Sequence, residues 1–167
     1  PQPSGGGGGG NPADPVSPFR RIAARLQNFN RRFGRDPIAQ TFFVNDLEGA
    51  FITKVDLFFE TKDDNIPVKI FLTETIEGKP SKRIVPFSEV ILNPSSVNIS
   101  TDASSSTTFT FDSPLFLQGG KEYAIVVKPE STNYKAFVSR LGDTVLGTTR
   151  RVSSQPLLGS FFRSQNT

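Results

Sequence analysis

Residues 50–60, AFITKVDLFFE, decide the fold. Phe51, Thr53, Val55, Leu57 and Phe59 alternate with Ile52, Lys54, Asp56, Phe58 and Glu60. A period of two places one set on each side of a half-buried antiparallel strand. The first set is expected to enter the core. KDDN (62–65) then supplies a turn, and IPVKIFLTET (66–75) sends Val68, Ile70 and Leu72 inward with Lys69 and Thr73 outward. The two stretches read as a hairpin or as adjacent strands.

Working outward, strands are predicted at IAQTFFVN (38–45), SEVIL (88–92), STTFTF (106–111), KEYAIVVKP (121–129), KAFVSRL (135–141) and LLGSFF (157–162). EGKP, NPSS, LQGG and ESTN mark turns between them. After Gly119 and Gly120 turn the chain, Tyr123, Ile125 and Val127 alternate into the core. About eight short strands without a helical crossover predict a mainly β domain over residues 36–167. The expected architecture is an antiparallel β-sandwich, jelly-roll-like in topology, with a Greek-key immunoglobulin arrangement as the alternative. LLGSFF is expected to return toward IAQTFF, bringing the ends of the domain together as an inserted module requires.

Two segments precede that domain. Residues 1–16 hold six consecutive glycines among prolines and read as a flexible linker. Residues 17–35, SPFRRIAARLQNFNRRFGR, carry helix punctuation: Ser17 at the N-cap, Pro18 at the first helical position and Gly34 just past the end. Phe19, Ile22, Leu26, Phe29 and Phe33 recur at spacings of 3, 4, 3 and 4, an amphipathic α-helix with a heptad seam. Such a seam seeks either a partner helix or the adjacent sheet. Residues 1–35 carry a net charge of +5, including Arg21, Arg25 and Arg32, whereas the remainder carries −2. The arginines surround the helix rather than forming one face, and no exposed aromatic interleaves with them, so an acidic protein partner, or merely a solvated helix surface, explains them better than nucleic acid.

Cysteine, histidine, methionine and tryptophan are all absent, which removes disulfides, thiolate nucleophiles, imidazole bases and imidazole-ligated metals. No run approaches the ~18 apolar residues of a membrane-spanning helix. KDDN lacks the alternating acidic positions and following glycine of a calcium loop. Glu74 with Glu77 or Glu89 can be nominated as a glycosidase pair, though any sandwich offers such pairs by accident. No catalytic residue, cofactor or metal site is assigned.

Several stretches together resemble a module of large virion structural proteins in the tail baseplates of contractile-tailed, T4-like bacteriophages. They are DPIAQTFFV, GAFITKVDLFFETKDDNIPVKIFL, VPFSEVILNPSSVNIS, LFLQGGKEYAIVV, YKAFVSRLG and QPLLGSFFRSQN. The resemblance covers about residues 36–167 and excludes the polyglycine and the arginine-rich helix. It implies a non-enzymatic β-sandwich held by neighbouring tail subunits in the virion, assembled in the bacterial host cytoplasm, within a chain continuing past Thr167. Partners would be other baseplate subunits, met in part by the helix through Phe19, Ile22, Leu26, Phe29, Phe33, Arg21, Arg25 and Arg32. The alternative is a carbohydrate-binding module for host-surface glycans. Such sites want exposed tryptophan or tyrosine platforms, and this chain has no tryptophan and two tyrosines.

Overall fold

The computed structural model describes residues 37–139, 141–144, 149–153 and 159–163. The linker 1–16 and the helix expected over 17–33, with all eight of its nominated partner-binding residues, lie outside the described residues.

Among the described residues the chain forms nine strands: β1 (Ile38–Phe43), β2 (Ala50–Thr61), β3 (Val68–Ile76), β4 (Lys79–Ile84), β5 (Val90–Leu92), β6 (Ser106–Leu117), β7 (Glu122–Pro129), β8 (Lys135–Ala136) and β9 (Phe161–Arg163). The chain is mainly β, and among the described residues its one helical piece is a 3₁₀ turn at Pro94–Ser96. One antiparallel sheet runs β4-β3-β7-β1-β9, with β5 beside β4 along the outer edge of β3. A smaller sheet runs β6-β2-β8. Ile38, Phe42, Val68, Ile70, Leu72, Tyr123, Ile125 and Val127 from the large sheet share one buried cluster with Ile52, Val55, Leu57, Phe59, Phe109, Phe111, Leu115 and Leu117 from the small one. Burying each aliphatic or phenylalanine side chain contributes about 1.5–3 kcal/mol before entropy is charged against it.

The inward rows of β3 and β7 are those that alternation predicts. Three expectations need correction. First, β2 and β3 are not a hairpin: β2 pairs with β6 and β8, whereas β3 pairs with β4, β5 and β7. The connection 62–67 crosses from one sheet to the other, and 118–121 does the same between β6 and β7.

Second, the inward set of β2 changes partway along. The register against β6 shifts between Ile52 and Lys54, opposite Asp112-Ser113-Pro114, so Thr53 and Lys54 both face solvent. The two steps from Ile52 to Lys54 answer five on β6, from Leu115 to Thr110, and an odd offset of three flips the faces of β2 beyond it. Ala50 and Ile52 therefore enter the core and Phe51 leaves it. Phe58, on the outward face as expected, is nonetheless buried in a small separate cluster with Ala103 and Phe137.

Third, EGKP is not purely a turn. Glu77 (φ 52°) and Gly78 (φ 72°) make the two-residue bend, and Lys79–Ile84 continues as the edge strand β4. β4 has no buried residue, so it shows no apolar alternation. Its Lys79, Lys82 and Arg83 are the charges that protect a sheet edge from pairing with other chains.

The last strand behaves as expected where it is described. β9 pairs antiparallel with β1, Gln40 opposite Phe161 and Ile38 opposite Arg163. Gly159 lets the chain approach: a Cβ there would lie 1.8 Å from the Thr41 carbonyl oxygen. Leu157 and Leu158 lie outside the described residues.

The turn into β7 separates two uses of glycine. A Cβ on Gly119 would sit 2.0 Å from the Asp46 carbonyl oxygen and 2.5 Å from that of Leu47, whereas Gly120 has φ +68° and open space around it. Gly119→Ala is expected to cost about 2–3 kcal/mol because the β1–β2 loop must move, and Gly120→Ala about 1 kcal/mol from left-handed strain alone. Urea unfolding of both variants checks this, and the reverse ranking would contradict it.

Candidate interaction surface

The crossing from β2 to β3 is held by a hydrogen-bonded cluster. Oδ1 of Asp63 accepts the backbone N–H groups of Asn65 and Ile66, both at 2.9 Å. Oδ2 accepts from the Ser131 hydroxyl at 2.6 Å and the Asn133 side-chain amide at 2.8 Å. The buried Tyr134 hydroxyl donates to the Ile66 carbonyl at 2.5 Å, and Lys62 Nζ donates to the carbonyls of Pro94 and Val97 at 2.7 and 2.8 Å. Three connections, 62–67, 93–98 and 130–134, are thereby locked together.

The Ser131 hydroxyl, then the Asn65 and Ile66 amides, hold the Asp63 carboxyl far below the usual carboxylate range, against the opposing effect of desolvation. Burial, helped by the Asp63 charge, pushes the Tyr134 hydroxyl up to about 12. Both oxygens of Asp63 are occupied by protein donors, so its chemistry is that of a structural acceptor. Of the carboxylates nominated from the sequence, Glu89 lies 3.2 Å from Lys69 and Glu74 lies 3.6 Å from Arg83. Among the described residues no group of three or more potential metal ligands converges.

Large apolar side chains at the surface are the more informative feature. Phe51 and Phe116 form a cross-strand pair on the outward face of the small sheet, 64% and 53% exposed, with ring centroids 5.2 Å apart and planes inclined at 57°. Leu47 stands exposed on the loop leading into β2.

A second exposed aromatic sits at the opposite sheet's edge, on a turn between β4 and β5. The Ser88 N–H donates to the Val85 carbonyl at 3.2 Å, closing a turn over Pro86 and Phe87. Phe87 occupies the third position with φ 62°, the left-handed conformation that such a turn reserves for glycine. Its side chain gains nothing from burial, being 83% exposed. The turn itself is anchored: the Val85 N–H donates to the Leu72 carbonyl at 2.9 Å, and the buried Ser88 Oγ accepts the Leu72 N–H at 3.0 Å. Ser88 thus satisfies β3 in the gap between β4 and β5. A rigid base holds a strained backbone whose side chain points to solvent, with the half-exposed Ile84 and Ile91 flanking the same edge.

None of these three phenylalanines was nominated from the sequence. Phe51 was assigned to the core because alternation carries no sign of the bulge, and Pro86 was the signal that a turn surrounds Phe87. In comparisons with protein-family models, curated proteins and solved structures, nothing matches this chain significantly.

Asp63 and Tyr134 bracket stability from opposite sides. Asp63 is depressed in the folded chain, so its contribution is present above the unfolded value near 4 and is lost as pH falls below it. Tyr134 is raised, so its contribution is present below about 10 and is lost as pH rises toward about 12. Asp63→Asn is expected to flatten the acid limb. Tyr134→Phe is expected to flatten the alkaline limb and cost about 1 kcal/mol at neutral pH through the lost hydrogen bond. Denaturant titrations from acid to alkaline pH check both, and an unchanged acid slope in Asp63→Asn would contradict the assignment.

Proposed function

We propose that residues 36–167 form a β-sandwich acting as a non-enzymatic structural module of a contractile-tailed phage baseplate, held in the virion by contacts with neighbouring tail subunits. The sandwich reading is supported by the single apolar cluster shared between the two sheets. The wiring narrows it: β2 pairs with β6 and β3 with β7, while β2→β3 and β6→β7 both cross between sheets. In an immunoglobulin-type Greek key, strands B and E are neighbours in one sheet and C and F in the other, with B→C and E→F crossing. That pattern favours the Greek-key alternative over the jelly roll.

The observation that carries the functional reading is Phe87. Backbone strain under a fully presented aromatic side chain has no stabilising role in the isolated chain, and strained positions with anchored surroundings are a mark of recognition sites. Aromatic side chains are also the usual anchors of protein interfaces. The antiparallel pairing of β1 with β9 supports a module strung within a longer chain, because the first and last strands leave the domain side by side.

The glycan-binding alternative has one observation in its favour, the exposed Phe51–Phe116 pair. Its rings are tilted rather than coplanar, and Tyr123 and Tyr134 are both buried.

Phe87→Gly separates a functional role from a structural one. The variant is expected to be about 1 kcal/mol more stable than the parent, because glycine relieves the left-handed strain. It is also expected to co-sediment about tenfold more weakly with baseplate assemblies purified from the same source, as loss of an aromatic anchor entails. Undiminished co-sedimentation would overturn the role of Phe87. Reproducible binding on a glycan array, abolished by Phe51→Ala, would favour the second reading, and turnover of an acidic polysaccharide would defeat both.

A further inference from the structure

The small sheet ends at β6. One side of β6 pairs with β2, and among the described residues no strand pairs with the other. Two hydrogen bonds show which backbone groups reach that free edge. The Phe137 N–H donates to the Phe58 carbonyl at 2.9 Å, so Phe58 turns its backbone polar groups toward β8 and away from Ser106, the residue opposite it on β6. The Ser106 carbonyl accordingly faces outward, where the Asn98 side-chain amide donates to it at 2.9 Å. Backbone direction alternates along an antiparallel strand, so Thr108 and Thr110 also turn N–H and C=O to the free edge. Asn98 covers Ser106, but among the described residues no group bonds the Thr108 or Thr110 backbone there.

Side chains follow the same order. Thr107, Phe109 and Phe111 are buried, whereas Thr108, Thr110 and Asp112 are exposed. The core beneath this edge is incompletely covered. Val90 and Leu92 of β5 lie opposite Ile70 and Val68, both fully buried, and so point with them into the core. Yet Val90 and Leu92 are only half-buried. β5 approaches β6 on this side, and the two strands are not paired.

The two sheet borders differ in charge. β4 carries Lys79, Lys82 and Arg83, which oppose pairing. In β6 the one charged residue is Asp112, and Pro114 follows the threonines, where it ends any added ladder. From Ile84 to Gly120 the chain holds Glu89, Asp102 and Asp112 and no lysine or arginine, although its net charge is +3. Glu89 is paired with Lys69. On the outward face of β2, Asp56 opposite Thr108 offsets Lys54 opposite Thr110, which leaves Asp112 to set the sign at the edge itself.

We propose that the free edge of β6 receives an extended basic segment of a partner protein as a further strand of the small sheet. Main-chain bonds to Thr108 and Thr110 supply its affinity, and alternate side chains supply its specificity. Its inward apolar side chains cover Val90 and Leu92, and its outward lysines or arginines meet Asp112. The closeness of β5 to β6 selects this occupant over a second copy. Two copies joined edge to edge through β6 would bring both β5 strands into the same space on the core side, whereas a single extended segment fits. This inference stands on the edge and its charge and does not depend on the baseplate reading.

A decapeptide of alternating valine and lysine, added to the full chain, tests it. Amide exchange at Thr108 and Thr110 is expected to be fast in the free chain and to slow at least tenfold with the peptide, while the amides of Lys79–Ile84 are unchanged. Replacing the lysines of the peptide by glutamates is expected to weaken binding at least tenfold. Thr110→Pro removes one outward N–H, a change that an edge strand tolerates, and is expected to weaken binding by a similar factor. Asp112→Lys keeps every backbone group and is expected to reverse the preference between the two peptides. Protection of Thr108 and Thr110 without peptide would overturn the proposal, in favour of a second copy if the chain is then dimeric. No protection at millimolar peptide, protection on β4 instead, or an unchanged preference in Asp112→Lys would each overturn it as well.

Discussion

The structure depends on β7. It pairs antiparallel with β3 along one edge and with β1 along the other, and five of its residues in a row are removed from water. Neither of its faces nor either of its edges is available to solvent, so its backbone hydrogen bonds and apolar burial reinforce one another. β3 and β1 inherit their inward and outward sets from the register with β7. β4, β5 and β9 then add to those strands with less burial and shorter pairing. Burial therefore declines from the centre of the large sheet to its rims.

Two of the crossings that join the small sheet to this centre, 62–67 and 118–121, are stabilised differently. At 62–67 the carboxylate of Asp63 gathers two backbone amides and two side chains, with Tyr134 and Lys62 closing the neighbouring loops. At 118–121 steric closeness replaces polar chemistry: Gly119 sits against the Asp46 and Leu47 carbonyls, and the Gly120 N–H donates to Val44 at 2.9 Å. Satisfied donors and acceptors leave little chemistry to perform at either crossing. Large apolar side chains are exposed elsewhere, Phe87 at one sheet's edge and Phe51 with Phe116 on the other sheet's face.

Sequence periodicity reached as far as a period of two can reach. It placed Val68, Ile70, Leu72, Tyr123, Ile125 and Val127 correctly, because side-chain direction is a local property of an extended backbone. It could not pair β2 with β6 instead of β3, since alternation states which face is buried and is silent about which strand lies alongside. It mis-set Phe51 because the register irregularity at Thr53–Lys54, where β6 carries three residues more than β2, reverses the faces without changing composition. β4 escaped notice because an exposed edge strand has no apolar face to display. The continuous run YAIVV is the readable sign of double burial, whereas alternation alone directs only Tyr123, Ile125 and Val127 into one core. Phe87 was illegible for a different reason: a left-handed φ on phenylalanine arises from the turn closed by Val85 and Ser88, which no propensity anticipates.

Native-state hydrogen exchange on β7 tests the account most directly. If β7 is the doubly covered centre, the amides of Tyr123 to Val127 will be the slowest in the domain and will exchange only through global unfolding, with the denaturant dependence of the whole chain. Amides of β4 and β9 will exchange through smaller openings at lower free energy. Exchange of the β7 amides by a local, denaturant-insensitive opening would contradict the claim that the fold is built around that strand.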